Sequence, residues 1–146
     1  MSYVLPDRAP SLQTPQFSNF QPLNLPTFSI NLNNMDIETF RNYCLSLPGT
    51  TEGMKWDHLC FMIEEKIFVI IAIDEGNSFS TKCSPEEFDE LIAIEGIKQA
   101  QHMAKRQWVR IDHLNILTDK ALKNRVETSR ALVLSKLSKK VQAKYQ

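Results

Sequence analysis

The chain has 146 residues, no formal net charge and 42% hydrophobic residues, which predicts one domain that buries roughly two-thirds of its unfolded surface without a disulfide or metal staple. Cys44, Cys60 and Cys83 are far apart and odd in number, so neither a disulfide framework nor a zinc knuckle is indicated, and a cytoplasmic location is expected. No apolar run reaches the roughly 18 residues of a membrane-spanning helix and no signal-peptide layout is present, so membrane insertion and export are disfavoured.

The charge is divided unevenly along the chain. Residues 1–100 hold 6 Lys and Arg against 14 Asp and Glu, whereas residues 101–146 hold 11 against 3. A basic half of this kind indicates a surface that faces a polyanion. A helix with a solvated basic face gives the same count, so both interpretations stay open.

Residues 1–34 differ in composition from the rest, because five of the seven prolines lie here among Gln, Asn and Ser. This composition predicts a tail that is largely disordered or loosely docked. Residues 28–32 alternate between apolar and polar, and the alternative is that they dock as an extended segment on the domain or on a protein partner. A start of translation at Met35 is also open, since a helical pattern begins directly after it.

The domain proper is predicted over residues 35–146. Its first helix begins with Asn34 as the cap, buries an apolar stripe that includes Phe40 and Cys44, and ends at Pro48-Gly49. Residues 50–57 are predicted to be a polar connection. Residues 59–73 are the most apolar stretch, interrupted only by Glu64-Glu65-Lys66, which predicts a hairpin of two buried strands.

The second half of the domain alternates helices and strands. A turn at residues 74–77 leads to a strand at 78–83, and Ser84 then caps a helix that ends near Ala93. Residues 97–106 are predicted to be a helical turn or loop, residues 107–112 a strand, and Thr118 to about Ser138 a long helix. Sequential strands joined by short turns predict an α+β fold, a two-layer sandwich with a mainly antiparallel sheet and helices on one face.

The segment 105–110 carries the clearest candidate for ligand contact. Trp108 and Arg110 face the same side of a strand, and two cations directly precede it. Guanidinium groups bind phosphate and an indole can stack on a base, so a nucleic-acid surface is predicted. Its residues are Lys82, Lys105, Arg106, Trp108 and Arg110. The alternative is that Trp108 fills core space and the cations are ordinary surface charge.

No catalytic or metal site is expected, and no cofactor is implied. His58 and Cys60 are the only local pair with ligand character, and two donors do not make a site. Only four glycines are present and no phosphate-binding loop is found, so the chain is not predicted to be an enzyme. The hypothesis of an enzyme would gain support only if His58, His102 and a carboxylate converged in one pocket.

Four motifs identify a family resemblance over nearly the whole domain. They are Cys44-Leu-Ser-Leu-Pro-Gly49, Lys82-Cys-Ser-Pro85, Lys105-Arg-Gln-Trp108 and Ser129-Arg-Ala-Leu-Val133. In this order they resemble the MmcQ/YjbR family, small bacterial domains with a frataxin-like α/β fold. Gln107 departs from the pattern, because a histidine is common before the tryptophan.

The resemblance implies the fold firmly and suggests a function. In this family DNA binding is inferred from a "double wing" arrangement of strands and loops. We therefore expect DNA binding through the basic C-terminal half, with affinity that falls steeply as salt increases. The alternative is a non-catalytic protein- or small-ligand-binding module that uses the concave sheet or the tail. The position of the C-terminal cations should separate the two hypotheses, and the oligomeric state stays open.

Overall fold

The structure, a computed structural model, describes residues 35–145, and the predictions made for residues 1–34 lie outside the described residues. The elements in chain order are α1 (Ile37–Ser46), β1 (Thr50–Lys55), β2 (His58–Ile63), β3 (Lys66–Ala72), a 3-10 turn (Ile73–Glu75), β4 (Ser78–Lys82), α2 (Pro85–Ile92), β5 (Ile97–Gln99), β6 (Trp108–Ile111), α3 (Asp119–Ser135) and α4 (Lys139–Ala143). None of the helices in this part of the chain is both long and apolar enough to cross a membrane.

The six strands form one antiparallel sheet in the order β1-β2-β3-β4-β6-β5. Side chains of alternate strand residues, such as Phe61, Val69 and Ile111, point to one face and are buried under α1, α2 and α3. Phe40 of α1 meets Phe79 of β4 there, with ring centroids 5.2 Å apart. The predicted α+β two-layer architecture is therefore confirmed. We call the helix-packed side the covered face and the opposite side the open face.

Local signals place several elements as predicted. The hairpin β2–β3 turns at Glu64 and Glu65, both with positive φ, which is the conformation that two-residue hairpin turns require. Ser84 and Glu87 form the expected capping box at the start of α2. The cap of α1 is Asp36 and not Asn34, because the Asp36 carboxylate accepts the hydrogen bond of the Thr39 N–H at 2.7 Å.

Two segments predicted as connections are edge strands. Residues 50–55 form β1, which pairs with β2, and residues 97–99 form β5, which pairs with β6. Edge strands pair on one side only and so carry polar and small residues, which hides them from a search for apolar alternation. The predicted last helix ends at Ser135, and a short further helix that was not predicted, α4, follows it, because Ser138 accepts a hydrogen bond from the Val141 N–H and caps α4.

Candidate functional site

Three of the five predicted contact residues, Lys82, Trp108 and Arg110, share the open face of the sheet. Strands β4 and β6 are neighbours, and their register sets Lys82 directly opposite Trp108 and Ser80 opposite Arg110. Directly opposite residues in an antiparallel pair point to the same side, so these four side chains form one patch. The predicted strand at residues 107–112 therefore carries its two key residues on the side opposite α1, α2 and α3.

Trp108 is mostly buried within that face. Its side chain is only 7% exposed and lies in a small apolar cluster with Cys60, Ile70 and Ala100. Little of the indole ring is left for a nucleic-acid base. The placement agrees with the alternative weighed from the sequence, in which the ring fills space.

Arg106 lies apart from Arg110. Its guanidinium forms two hydrogen bonds with the Asp89 carboxylate, at 3.1 and 3.0 Å, and lies over the Phe88 ring at 5.1 Å from its centroid. Both partners belong to α2. The hydrogen bonds from Arg106 hold the pKa of Asp89 below its ordinary value. Lys105 is exposed in the loop before β6, so the predicted cations do not converge.

Arg110 faces a cleft of about 410 Å³ on the open face. Its guanidinium lies 3.5 Å from the Glu75 carboxylate and 3.7 Å from that of Asp112. Both distances exceed the usual hydrogen-bond range of about 2.7 to 3.2 Å. Among residues 35–145, none forms a hydrogen bond with the Arg110 side chain. Asp112 also pairs with Lys98 at 3.5 Å, so the two carboxylates balance the two cations, while the Arg110 guanidinium donates no hydrogen bond to a described residue.

The cleft combines an apolar floor with polar groups on its walls. The apolar lining comes from Ile70, Ala72 and Met103. The walls carry the side chains of Arg110, His58 and His102, together with serine hydroxyl groups and the Trp56 indole. The polar and aromatic lining consists of Trp56, His58, Glu75, Ser78, Ser80, Gln101, His102 and Arg110. A few convergent polar groups on an apolar base are typical of small-molecule sites.

The loop that carries His102 and Met103 is fastened by Gln99 at the end of β5. The Gln99 amide donates to the carbonyl of Ala100 at 2.8 Å, and its side-chain oxygen accepts from the Arg106 N–H at 2.9 Å. The Gln107 carbonyl also accepts from the Cys83 N–H at 2.8 Å, which ties the loop to the end of β4. The side of the cleft formed by this loop is thus built before any ligand binds.

His58, His102 and Glu75 line the same cleft, which is the convergence stated above as the condition for an enzyme. In the described part of the chain, neither imidazole forms a hydrogen bond with Glu75 or with a serine hydroxyl. No group of three or more His, Cys, Asp or Glu side chains in residues 35–145 could hold a metal ion. The three side chains therefore line one cleft, and within residues 35–145 they are not joined to one another by hydrogen bonds.

The cysteine thiols lie in the protein interior. Burial raises the pKa of Cys44 to about 12, and it also raises the pKa values of Cys60 and Cys83. A thiol reacts as its thiolate, so a raised pKa makes it a poor nucleophile. Cys44 is fully buried on the inner side of α1, as its position in the apolar stripe predicted.

The remaining C-terminal arginines are scattered over the molecule. Arg125 is buried on the covered face and binds Glu87, while Arg130 donates to the Pro48 carbonyl and lies over the Tyr145 ring. Lys123 lies over the ring of Tyr43 at 5.3 Å from its centroid. These three cations make separate intramolecular contacts, whereas the lysines at positions 120, 136, 139, 140 and 144 are exposed. The dispersal that the small-ligand or protein-binding alternative predicted is therefore seen for the arginines and Lys123.

The sequence predicted Arg110 as a nucleic-acid contact and weighed His58 and His102 as metal ligands or bases, and it assigned no ligand contact to Trp56, Glu75 or Gln99. Trp56 was assigned to a polar connection, whereas it lies in the two-residue turn between β1 and β2. If β1 had been recognised, a tryptophan in the turn after it would have indicated a functional residue, because such turns prefer Asn, Asp and Gly. Nothing in the sequence near Gln99 indicates its role, because the loop that it holds is defined only by the fold.

The comparisons with known proteins concern the fold and the family. The YjbR family model matches residues 45–132, more than half of the chain. A Deinococcus radiodurans protein with a DUF419 domain superposes with a TM-score of 0.68 at 22% identity, over 75% of this chain and 86% of that one. A Pseudomonas syringae structural-genomics target gives a TM-score of 0.57 at 23% identity, over 67% of this chain and 98% of that one. At these identities the two structures establish a likeness of fold alone.

No curated protein matches the chain. The family therefore follows from the matched family model, and the two structural neighbours agree with it in fold. The resemblance drawn from the four sequence motifs is confirmed, and the chain belongs to the YjbR family.

Proposed function

We propose that this YjbR-family domain is a small-molecule-binding module, and that the cleft on the open face binds a ligand with an anionic head group. The observation that carries the proposal is the state of Arg110, which faces the cleft and donates no hydrogen bond to any described residue. A carboxylate or phosphate would accept its N–H groups and form charge-assisted hydrogen bonds.

The surroundings of Arg110 support a head group of this kind. Ser80 lies directly opposite on the neighbouring strand, and its hydroxyl can donate to the same anion. The nearby carboxylate of Glu75 lies at 3.5 Å, a loose contact that an incoming anion can replace. Among described residues, none forms a hydrogen bond with Nδ1 of His58, which also lines the cleft. The site therefore holds several polar groups without fixed partners.

The size and floor of the cleft favour a small organic molecule. A volume of about 410 Å³ falls within the range of roughly 300 to 1,000 Å³ that is common for ligand pockets. Ile70, Ala72 and Met103 offer an apolar surface for the body of the ligand. We propose binding without catalysis, because the two imidazoles have no carboxylate or hydroxyl partner in the described structure.

DNA binding through the basic half stays a prediction with less support. Arg106 is held by Asp89, and Trp108 is mostly buried, so the predicted contact residues offer few free groups to phosphate or base. Cytoplasmic location and a protein partner of the tail likewise stay predictions. The intramolecular contacts of Arg106, Arg125 and Arg130 are the observation that ranks the small-molecule proposal above nucleic acid.

The proposal is tested by titrating the full chain with phenyl phosphate and following its amide signals by NMR. We expect the shifted signals to cluster around the cleft, and Arg110→Gln to weaken binding about tenfold or more, since a hydrogen bond to a charged group is lost. Lys136→Gln is the matched control, because it removes one positive charge at an exposed position of the α3 C-cap.

Two results would overturn the proposal. One is an absence of shifts around the cleft at millimolar probe. The other is equal weakening by both variants, which would indicate general charge attraction. A parallel titration with duplex DNA at low salt separates the hypotheses, because tight binding with a steep salt dependence would favour the nucleic-acid prediction instead.

A further inference from the structure

We infer that the cleft selects a ligand with a flat aromatic ring, and that Trp56 is the residue that recognises this ring. The inference rests on the proposed function, because it adds an aromatic ring to the anionic head group that the proposal places at Arg110. The ligand class is then an aromatic carboxylate or an aryl phosphate. The first observation is the unusual position of Trp56.

Trp56 contributes little to the folded core. It is 73% exposed, whereas the other tryptophan, Trp108, is 7% exposed. Exposure of so large an apolar side chain forgoes most of the free energy that its burial would give. A structural role therefore does not account for this residue.

The turn does not require tryptophan either. Trp56 and Asp57 have φ values of 53° and 64°, so both lie in the left-handed region that two-residue hairpin turns use. Asn and Gly are preferred in such turns, and a bulky side chain at positive φ is disfavoured. The turn at the other end of β2 adopts the same φ signs with Glu64 and Glu65 and does not line the cleft. The tryptophan is thus found at the hairpin tip that borders the cleft.

Position and chemistry then define the partner. Trp56 lines the cleft together with Arg110, His102 and the apolar floor. His102 is a second residue of the cleft with a positive φ, 64°. Strained residues of this kind cluster at ligand sites, where the rest of the structure holds them in place. An exposed indole beside a cation suits a planar ring that carries an acid group, because the ring can stack while the acid binds the guanidinium.

Two probes separate the ring from the head group. Phenyl phosphate carries both, and inorganic phosphate carries only the anion. We expect phenyl phosphate to bind the full chain about fivefold or more tightly than inorganic phosphate, from one aromatic stacking contact. In Trp56→Asn the two probes should bind equally, whereas Trp56→Phe should keep most of the difference.

Trp56→Asn suits the backbone, because asparagine tolerates positive φ, and its melting temperature should match or exceed that of the wild type. The readout is the set of backbone amide signals around the cleft, which the wild type and both variants share. Equal binding of the two probes in the wild type, or a preference that survives in Trp56→Asn, would overturn the role of Trp56 and leave the anion site standing. Failure of both probes to bind would overturn the proposed function and this inference together.

Discussion

Two arginine–glutamate pairs on opposite faces of the same sheet differ in exposure, in distance and in hydrogen bonding. On the covered face, Arg125 is 7% exposed and its guanidinium binds Glu87 at 3.2 Å and the Lys82 carbonyl at 3.2 Å. On the open face, Arg110 is 32% exposed, lies 3.5 Å from Glu75 and donates no hydrogen bond to a described residue. Both arginines lie beside β4, one on either side of the sheet.

The difference separates a pair that stabilises the fold from a pair whose arginine the proposed function assigns to ligand binding. Burial alone would raise the pKa of Glu87, but hydrogen bonds from Arg125 and Ser84 bring it below its ordinary value. The charge is thus fixed by several partners and cannot be removed without cost. The Arg110 pair is looser and faces solvent, so its arginine is available to an incoming ligand.

The largest effect is expected from Arg125→Met, which keeps a long apolar side chain and removes the guanidinium. Glu87 then loses its partner while it is only 35% exposed. We expect a loss of about 3 kcal/mol in the free energy of unfolding, the low end for a broken buried pair because Glu87 is partly exposed. Urea unfolding measures this loss, and adding Glu87→Gln should recover part of it. A loss below about 1 kcal/mol would remove the contrast between the faces.

A smaller loss is expected from Ser129→Ala in α3. The Ser129 hydroxyl is fully buried, accepts the Lys82 N–H at 2.8 Å and donates to the Phe68 carbonyl at 2.6 Å. It bridges β4 and β3 just beyond their last register pair, Val69 and Thr81. Leaving these two backbone groups unpaired should cost about 2 kcal/mol.

Hydrogen exchange at the Lys82 amide measures the same loss directly and should become faster in Ser129→Ala. Ser135→Ala is the matched control in the same helix, because the Ser135 hydroxyl is exposed and donates only to the Leu132 carbonyl. That control should change the free energy of unfolding by less than about 0.5 kcal/mol. Unchanged protection of Lys82 in Ser129→Ala would contradict the role given to this bridge.

The smallest effect on stability is expected from Arg110→Gln. An exposed ion pair at 3.5 Å contributes little, so the free energy of unfolding should change by less than about 0.5 kcal/mol. The same urea experiment measures it beside the Arg125 variant. A loss as large as that of Arg125→Met would make Arg110 a structural residue and would weaken its assignment to ligand binding.

Most of the fold could be predicted from local signals. The interrupted apolar run at residues 59–73 gives the central hairpin, and Ser84 with Glu87 gives the start of α2, because these signals are short in range. Strands β1 and β5 could not be predicted in this way. Each becomes a strand through its neighbour in the sheet, and that neighbour is not visible in its own residues.

The candidate site was predicted only in part, for a related reason. The period of two correctly set Trp108 and Arg110 on one side of β6, but it could not show that this side also carries His58 and Ser80 from β2 and β4. Arg106 was grouped with Arg110 because the two are close in sequence. Its own φ of 64° turns the chain at that point, and its side chain binds α2 instead.

The hydrogen bonds between Gln99 and the loop after β5 also affect the rate and the entropy cost of binding the proposed ligand. A segment that is already fixed loses little conformational entropy when the ligand arrives. Association should then be binding to a preformed site, with one kinetic phase whose rate grows linearly with ligand concentration. Differences in affinity among ligands are then expected to arise mainly from differences in their dissociation rates.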